Sequence, residues 1–224
     1  EFHFYDAFFK ITQKQKPTLA VLTSHGTSTA IKIADFMRSL QPYYQLASFD
    51  LKALENDPEK TLKNLNRFEL LMVSNPTESF SEIEKYLLDQ HLMNGGKQWW
   101  AINSIAVNRD SLFNSSGSAV AIGRSLNMEN TFFKYGFRLQ KNLVKDLYCA
   151  PIVLASRSDR EAQYLPYPWP YYPLAKPIQE GLFGELAGNV LIPFPSSIDT
   201  LKNGLDKKIL ISTSNFSKII QTPA

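Results

Sequence analysis

The sequence predicts an α/β fold: a three-layer domain around a mostly parallel central sheet, of the flavodoxin-like or glutamine-amidotransferase-like kind. Three observations predict it. Short apolar runs rich in β-branched residues recur through the first half of the chain. Between them lie stretches with apolar residues at helical spacing. The junctions carry turn and capping signals. Strand, helix, strand, helix in that order defines βαβ units, and a crossover helix returns the chain to the end of the sheet it left, so the strands run parallel.

Residues 18–24 (TLAVLTS) form the first predicted strand, ending in a turn at His25-Gly26. Thr27 or Ser28 is placed to cap the next helix by accepting a free backbone N–H. Ile33, Phe36, Met37 and Leu40 give that helix one apolar face, and Gln41-Pro42 stops it. Tyr44 to Phe49 alternates and reads as the second strand. Residues 53–67 are polar and helical in part. Phe68 to Ser74 is the third strand, closed by Asn75-Pro76. Ser81 and Glu84 then make an S-x-x-E capping box, in which each side chain satisfies the other's backbone donor. Ile83, Tyr86, Leu87 and His91 follow on one face, and Gly95-Gly96 ends the helix. Gln98 to Asn103 is the fourth strand.

The second half is less regular. Asn127 reads as the cap of a short helix with Met128, Phe132, Phe133 and Tyr135, stopped by Gly136. Leu143 to Asp146 reads as a turn. Strands are predicted at Pro151–Ser156, Val190–Phe194 and Lys208–Ser212. Residues 165–173 (LPYPWPYYP) are excluded as a central strand, because four prolines remove four ladder donors. The expected organisation is one domain over 1–224, with a regular βαβ half at 1–110 and a less regular half at 111–224. The latter carries a proline and aromatic loop at 164–173.

Composition narrows the function. Hydrophobic residues make up 44% and aromatic residues 12%, which is ample for a packed core and argues against disorder. The net charge of +3 comes from scattered lysines and arginines, without the basic patch that nucleic-acid binding requires. The single cysteine, Cys149, sits among apolar neighbours and excludes an intrachain disulfide. No apolar run reaches the roughly 18 residues of a membrane helix. The opening Glu1-Phe2, with Phe4, Tyr5, Phe8 and Phe9 behind it, reads as an excised fragment whose anchors lie elsewhere.

Ligands of an open α/β sheet sit at the carboxyl ends of its strands. The candidate binding residues are therefore His25, Thr27, Asn75 and Asn103. The Ser24–Ser28 loop offers hydroxyls and a helix N-terminus that an anion would accept. It lacks both G-x-G-x-x-G and G-x-x-x-x-G-K-[ST], and a tight turn with a cap is the preferred reading. His25 is a candidate base with no carboxylate or nucleophile near it in sequence. No G-x-S-x-G or G-x-C-x-G elbow supports hydrolase chemistry. His3, His25 and His91 are far apart, so no metal is expected, and no cofactor is called for. Tyr167, Trp169, Tyr171 and Tyr172 project from the proline-rich segment and are the candidate partner-interface residues.

Five collinear stretches carry a resemblance to a known family. They are Phe80–Lys97 (FSEIEKYLLDQHLMNGGK), Ser125–Met128 leading to Phe133–Arg138, Leu143–Ile152, Pro168–Leu174, and Ser196–Leu201. Together they resemble the GldG family of gliding-motility ABC-transporter auxiliary proteins, from about Phe4 to Pro223. The chain departs from the family pattern at Lys176, where histidine is usual, and at Thr27, where an acidic residue is common. The resemblance implies a non-catalytic domain at the periplasmic face of the cytoplasmic membrane, attached through segments absent from this fragment. It implies a GldF-like permease and a GldA-like ATPase as partners, in gliding motility and type IX secretion, with homodimerisation left open. It further implies kinship with the carbohydrate-binding-like α/β domain of intraflagellar transport proteins. A saccharide-binding module of an ABC transporter is the alternative.

Overall fold

A computed structural model of the chain describes residues 2–13, 15–53, 57–113, 118–156, 163–178 and 188–224. It contains two compact units: Glu1–Ile102 with Ser125–Met128, and Asn103–Arg124 with Glu129–Ala224.

The first unit opens with helix α1 (Phe2–Thr12). It continues through β1 (Thr18–Leu22), α2 (Ala30–Leu40), β2 (Gln45–Phe49), α3 (Pro58–Leu65), β3 (Leu70–Ser74), α4 (Glu82–Met93) and β4 (Lys97–Ala101). The four strands pair in parallel in the order β2-β1-β3-β4, with Leu19 beside both Leu46 and Leu70. The chain moves outward from β1 to β2, then jumps back across β1 to β3. Right-handed crossovers therefore put α2 on one face and α3 with α4 on the other, and α3 and α4 do pack together. This is the predicted three-layer arrangement, with the strand order of doubly wound folds and a switch point between β1 and β3. Leu19, Ala20, Leu71, Met72 and Val73 on the strands are buried, with Leu65, Leu87 and Leu88 from the covering helices.

Local signals explain most boundaries. Both reciprocal bonds of the Ser81–Glu84 capping box form. Asp57 caps α3 by accepting from Lys60 N–H, with Pro58 in the first turn. Gly95, at φ +91°, takes the left-handed turn after α4. The helix after β1 is a correction: α2 begins later than expected, after Thr29, because Thr27 Oγ1 turns back to donate to Leu22 O at 2.8 Å. Lys85 in α4 is shielded from solvent. Its side chain is nearly buried, with the ammonium 2.5 Å from Glu82.

The second unit is built of short antiparallel pairs. β5 (Ile105–Val107) pairs with β6 (Ala121–Gly123), β7 (Phe137–Leu139) with β12 (Ile198–Thr200), and β8 (Asn142–Asp146) with β14 (Ser217–Gln221). Residues 143–146 are therefore strand and not turn, because a partner more than seventy residues away supplies the ladder. Helix α5 spans Glu129–Lys134, and Asn127 precedes it in a left-handed conformation, φ +57°. Strand β9 (Cys149–Ser156) pairs with the long β10 (Gln163–Pro177), which also meets β11 (Val190–Leu191) and β13 (Ile211–Ser212).

β10 corrects the expectation of an irregular loop, and its register explains why the prolines are tolerated. Pro168 lies directly opposite Pro151. Neither residue has an N–H, so this must be a non-hydrogen-bonded pair, whose backbone groups point away from each other. Pro166 shares that parity. The missing donors therefore lie on the outer edge, where no ladder needs them.

Asp146 closes the β8 end of this unit. Its carboxylate accepts from Tyr148 N–H (2.9 Å), Ser214 N–H (2.7 Å) and the Ser214 hydroxyl (2.6 Å). Burial pushes its pKa up, but those bonds outweigh it and hold it below the ordinary aspartate value. The stability it contributes is thus complete above pH ~4 and lost as pH falls through the lower folded-state pKa. Asp146→Asn is expected to lower stability by about 1–3 kcal/mol at neutral pH. It should also flatten the acid limb below pH ~4, as measured by urea melts at several pH values.

Candidate functional site

Two loops meet at the switch point of the first unit: residues 23–29 after β1 and residues 75–81 after β3. Hydrogen bonds lace them together. His25 O accepts from Thr77 N–H (2.8 Å) and Glu78 N–H (3.1 Å), Ser28 N–H donates to Ser74 O (2.8 Å), and Thr77 Oγ1 donates to Gly26 O (3.1 Å). The path requires left-handed backbone at His25 (φ +63°), Gly26 (+59°) and Asn75 (+47°). Histidine and asparagine tolerate that region better than most residues, and at Gly26 a Cβ would clash with Thr77 Oγ1.

The geometry carries His25 inward. It is 1% exposed, and Phe80, equally buried, stacks flat on its ring with centroids 4.0 Å apart and planes 8° from parallel. Phe80 in turn meets Trp100 edge-on. The 125–128 segment holds it from the other side: Phe80 N–H donates to Leu126 O and Asn127 Nδ2 donates to Phe80 O.

His25 also has the carboxylate that its sequence neighbourhood lacks. Its Nε2 lies 3.0 Å from Glu84 Oε1, off the line of a good hydrogen bond, so the contact is electrostatic. Its Nδ1 is 3.0 Å from Ser24 Oγ, which accepts from Leu51 N–H. A proton assigned to Nε2 faces Glu84 and leaves Nδ1 to accept from the Ser24 hydroxyl. Burial pushes the Glu84 pKa up. The Ser81 N–H, the Ser81 hydroxyl and His25 outweigh that and keep it below the ordinary glutamate value.

Of the residues expected to bind, His25 is sealed in the interior and Thr27 is bonded to Leu22 O. Asn75 anchors its loop by donating its N–H to Ala101 O (2.7 Å), while Asn103 belongs to the second unit. None of the four is among the residues that line one open cleft described in this unit. That cleft, about 570 Å³, lies by the first turns of α3 and α4 and is lined by Lys52, Thr61, Ser79, Ser81, Glu84 and Asn127 among others. Phe80, Glu84 and Ser24 are the residues that sequence reasoning missed. The capping box fixed Glu84 in the first turn of α4, but only the strand order brings that turn beside the end of β1. Of the aromatic quartet, Tyr167 is exposed and the other three are half-buried. Tyr171 and Tyr172 pack on Phe194.

The fold and site define a doubly wound α/β domain whose switch-point crevice is occupied by its own side chains. The sequence from residue 16 to 224 matches the family described as ABC-type uncharacterized transport system. The chain belongs to that family, the auxiliary components of an ABC-type transport system. No curated protein matches it in sequence. Among solved structures it is similar to the "mmIFT52 N-terminal domain", with a TM-score of 0.57 and 12% identity over 89% of this chain and 74% of that one. At that identity the likeness concerns the fold alone.

Phe80→Ala should remove the lid on His25. It is expected to destabilise the chain by about 3–5 kcal/mol. It should also make His25 reactive to diethylpyrocarbonate, from which the native ring is protected. Mass spectrometry of the modified peptide checks this.

Proposed function

We propose that this chain is a non-catalytic auxiliary domain of a gliding-motility ABC transporter complex, held at the periplasmic face of the cytoplasmic membrane through segments outside it. In this reading it is a scaffold or coupling module for gliding motility and type IX secretion, working with a GldF-like permease and a GldA-like ATPase. The observation that carries it, beside family membership, is the closed crevice. Phe80 stacked on a buried His25 seals the imidazole from any molecule in the neighbouring cleft. Ser24, His25 and Glu84 form a chain of acid–base groups, yet the imidazole is inaccessible and the carboxylate is held by the helix cap. A general base must reach the proton it abstracts, and this one does not.

One observation favours a second reading, a ligand-binding module for a saccharide or a similar polar molecule. The cleft at the first turns of α3 and α4 has the volume of a small-molecule site, and Thr61, Ser79, Ser81 and Asn127 line it. The readings separate experimentally. In the full-length protein, Tyr167→Ala is expected to leave the melting temperature unchanged and to weaken cross-linking to the permease and ATPase. Thr27→Ala with Asn75→Ala should leave motility intact. Saturable melting-temperature shifts with mono- or disaccharides, abolished in a cleft variant such as Ser79→Trp, would replace the scaffold reading with the binding one. Turnover of a hydrolase substrate that disappears in His25→Ala would overturn both.

A further inference from the structure

The β9–β10 ribbon has two edges, and they are treated differently. On β10 the outward groups belong to residues of the same parity as Pro166 and Pro168, so that edge offers carbonyls with no donor at either position. On β9 the outward residues are Pro151, Val153 and Ala155. Val153 and Ala155 have N–H groups, and among the described residues β9 pairs with nothing but β10. Proteins ordinarily guard such edges with lysine, proline or a bulge. From Cys149 to Ser156 there is no charged residue, and none from Gln163 to Ala175. Val153 is 57% exposed, and Tyr164, Leu165 and Tyr167 leave apolar area uncovered on both faces of the ribbon. A two-stranded ribbon with both faces wet is marginal alone.

We propose that the occupant of this edge is a second copy of the chain, with β9 pairing antiparallel to β9 about a two-fold axis at Val153. The register follows from the residues. With Val153 opposite its counterpart, the two exchange both N–H···O=C bonds. Each Ala155 N–H then meets the Pro151 carbonyl of the other copy, so the outward donors of Val153 and Ala155 are satisfied and Pro151 needs none. On the next positions Ile152 of each copy faces Leu154 of the other, giving two apolar cross-strand pairs. Centring on Leu154 would instead set Ile152 against Ser156. The resulting four-strand sheet runs β10, β9, then the second copy's β9 and β10. Its outer edges at Pro166 and Pro168 lack donors, so growth stops at two copies, as an isologous contact requires. This dimer is independent of the transport role proposed above.

The test is sedimentation equilibrium of the 224-residue chain with two variants. Val153→Pro removes the central donor but leaves the β9–β10 ladder intact, since that N–H points outward. Val153→Lys sets two charges on the axis. The wild type is expected to dimerise in the micromolar range. Both variants should dissociate about a hundredfold more readily, with the melting temperature unchanged at concentrations where the wild type is monomeric. Val153→Cys in a Cys149→Ser background should cross-link to a symmetric dimer under mild oxidation. If Val153→Pro fails to fold, the lysine variant and the cross-link decide. A wild type that stays monomeric near ~1 mM overturns the proposal, as does capture of only a foreign strand. So does a dimer that survives Val153→Lys, or one that Val153→Cys does not cross-link.

Discussion

The strand ends of the first unit depend on one carbonyl. His25 O accepts the N–H groups of Thr77 and Glu78, and so ties the loop after β1 to the loop after β3 where a doubly wound sheet would otherwise part. Reaching that position forces His25 into left-handed backbone, at a cost of order 1–2 kcal/mol. Two hydrogen bonds and the stacking of its ring on Phe80 offset it. The same tie sets where the chain resumes at Ser81. It therefore fixes the first turn of α4 and brings Glu84 to the imidazole. One strained residue thus positions the cap, the carboxylate and the lid.

That arrangement brings a histidine, a serine and a glutamate together and engages each of them within the fold. Catalytic groups have capacity left over for a substrate. Here Ser24 Oγ is engaged by Leu51 N–H and the imidazole, and Glu84 accepts from Ser81 as well as facing His25. Burial pushes the Glu84 pKa up, and the Ser81 cap bonds with His25 beside them hold it below the ordinary glutamate value.

The legible part of the sequence was the part whose signals are local. Strands β1 to β4 and the α4 cap come from period, turn residues and the Ser81–Glu84 spacing, which act within a few residues. Strand order was not legible, because nothing in residues 18–24 says that β1 will lie between β2 and β3. The contact of His25 with Glu84, 59 positions away, follows only from that order. In the second unit the difficulty is greater. Asn142–Asp146 is a strand because Ser217–Gln221 pairs with it, and its own residues read equally well as a turn. The binding candidates were chosen by their place at strand ends, which was sound topology. Whether a strand-end side chain turns out or in depends on a φ angle that composition does not reveal.

The proline-rich strand shows that a misleading residue can still carry structural information when its spacing is considered. Counted singly, the prolines of residues 165–173 exclude a strand. Counted by parity, Pro166 and Pro168 fall on one side, and a strand loses nothing if that side is its outer edge. Pro151 on β9 agrees: facing Pro168, it admits only the non-hydrogen-bonded pairing. Two prolines opposite one another therefore fix the phase of the ladder, since the opposite phase at this register would leave carbonyls of both strands without donors. Proline here specifies register by subtraction, as left-handed backbone at His25 specifies loop path by strain. In both units, residues that disfavour regular structure select one arrangement from those that hydrophobic patterning allows.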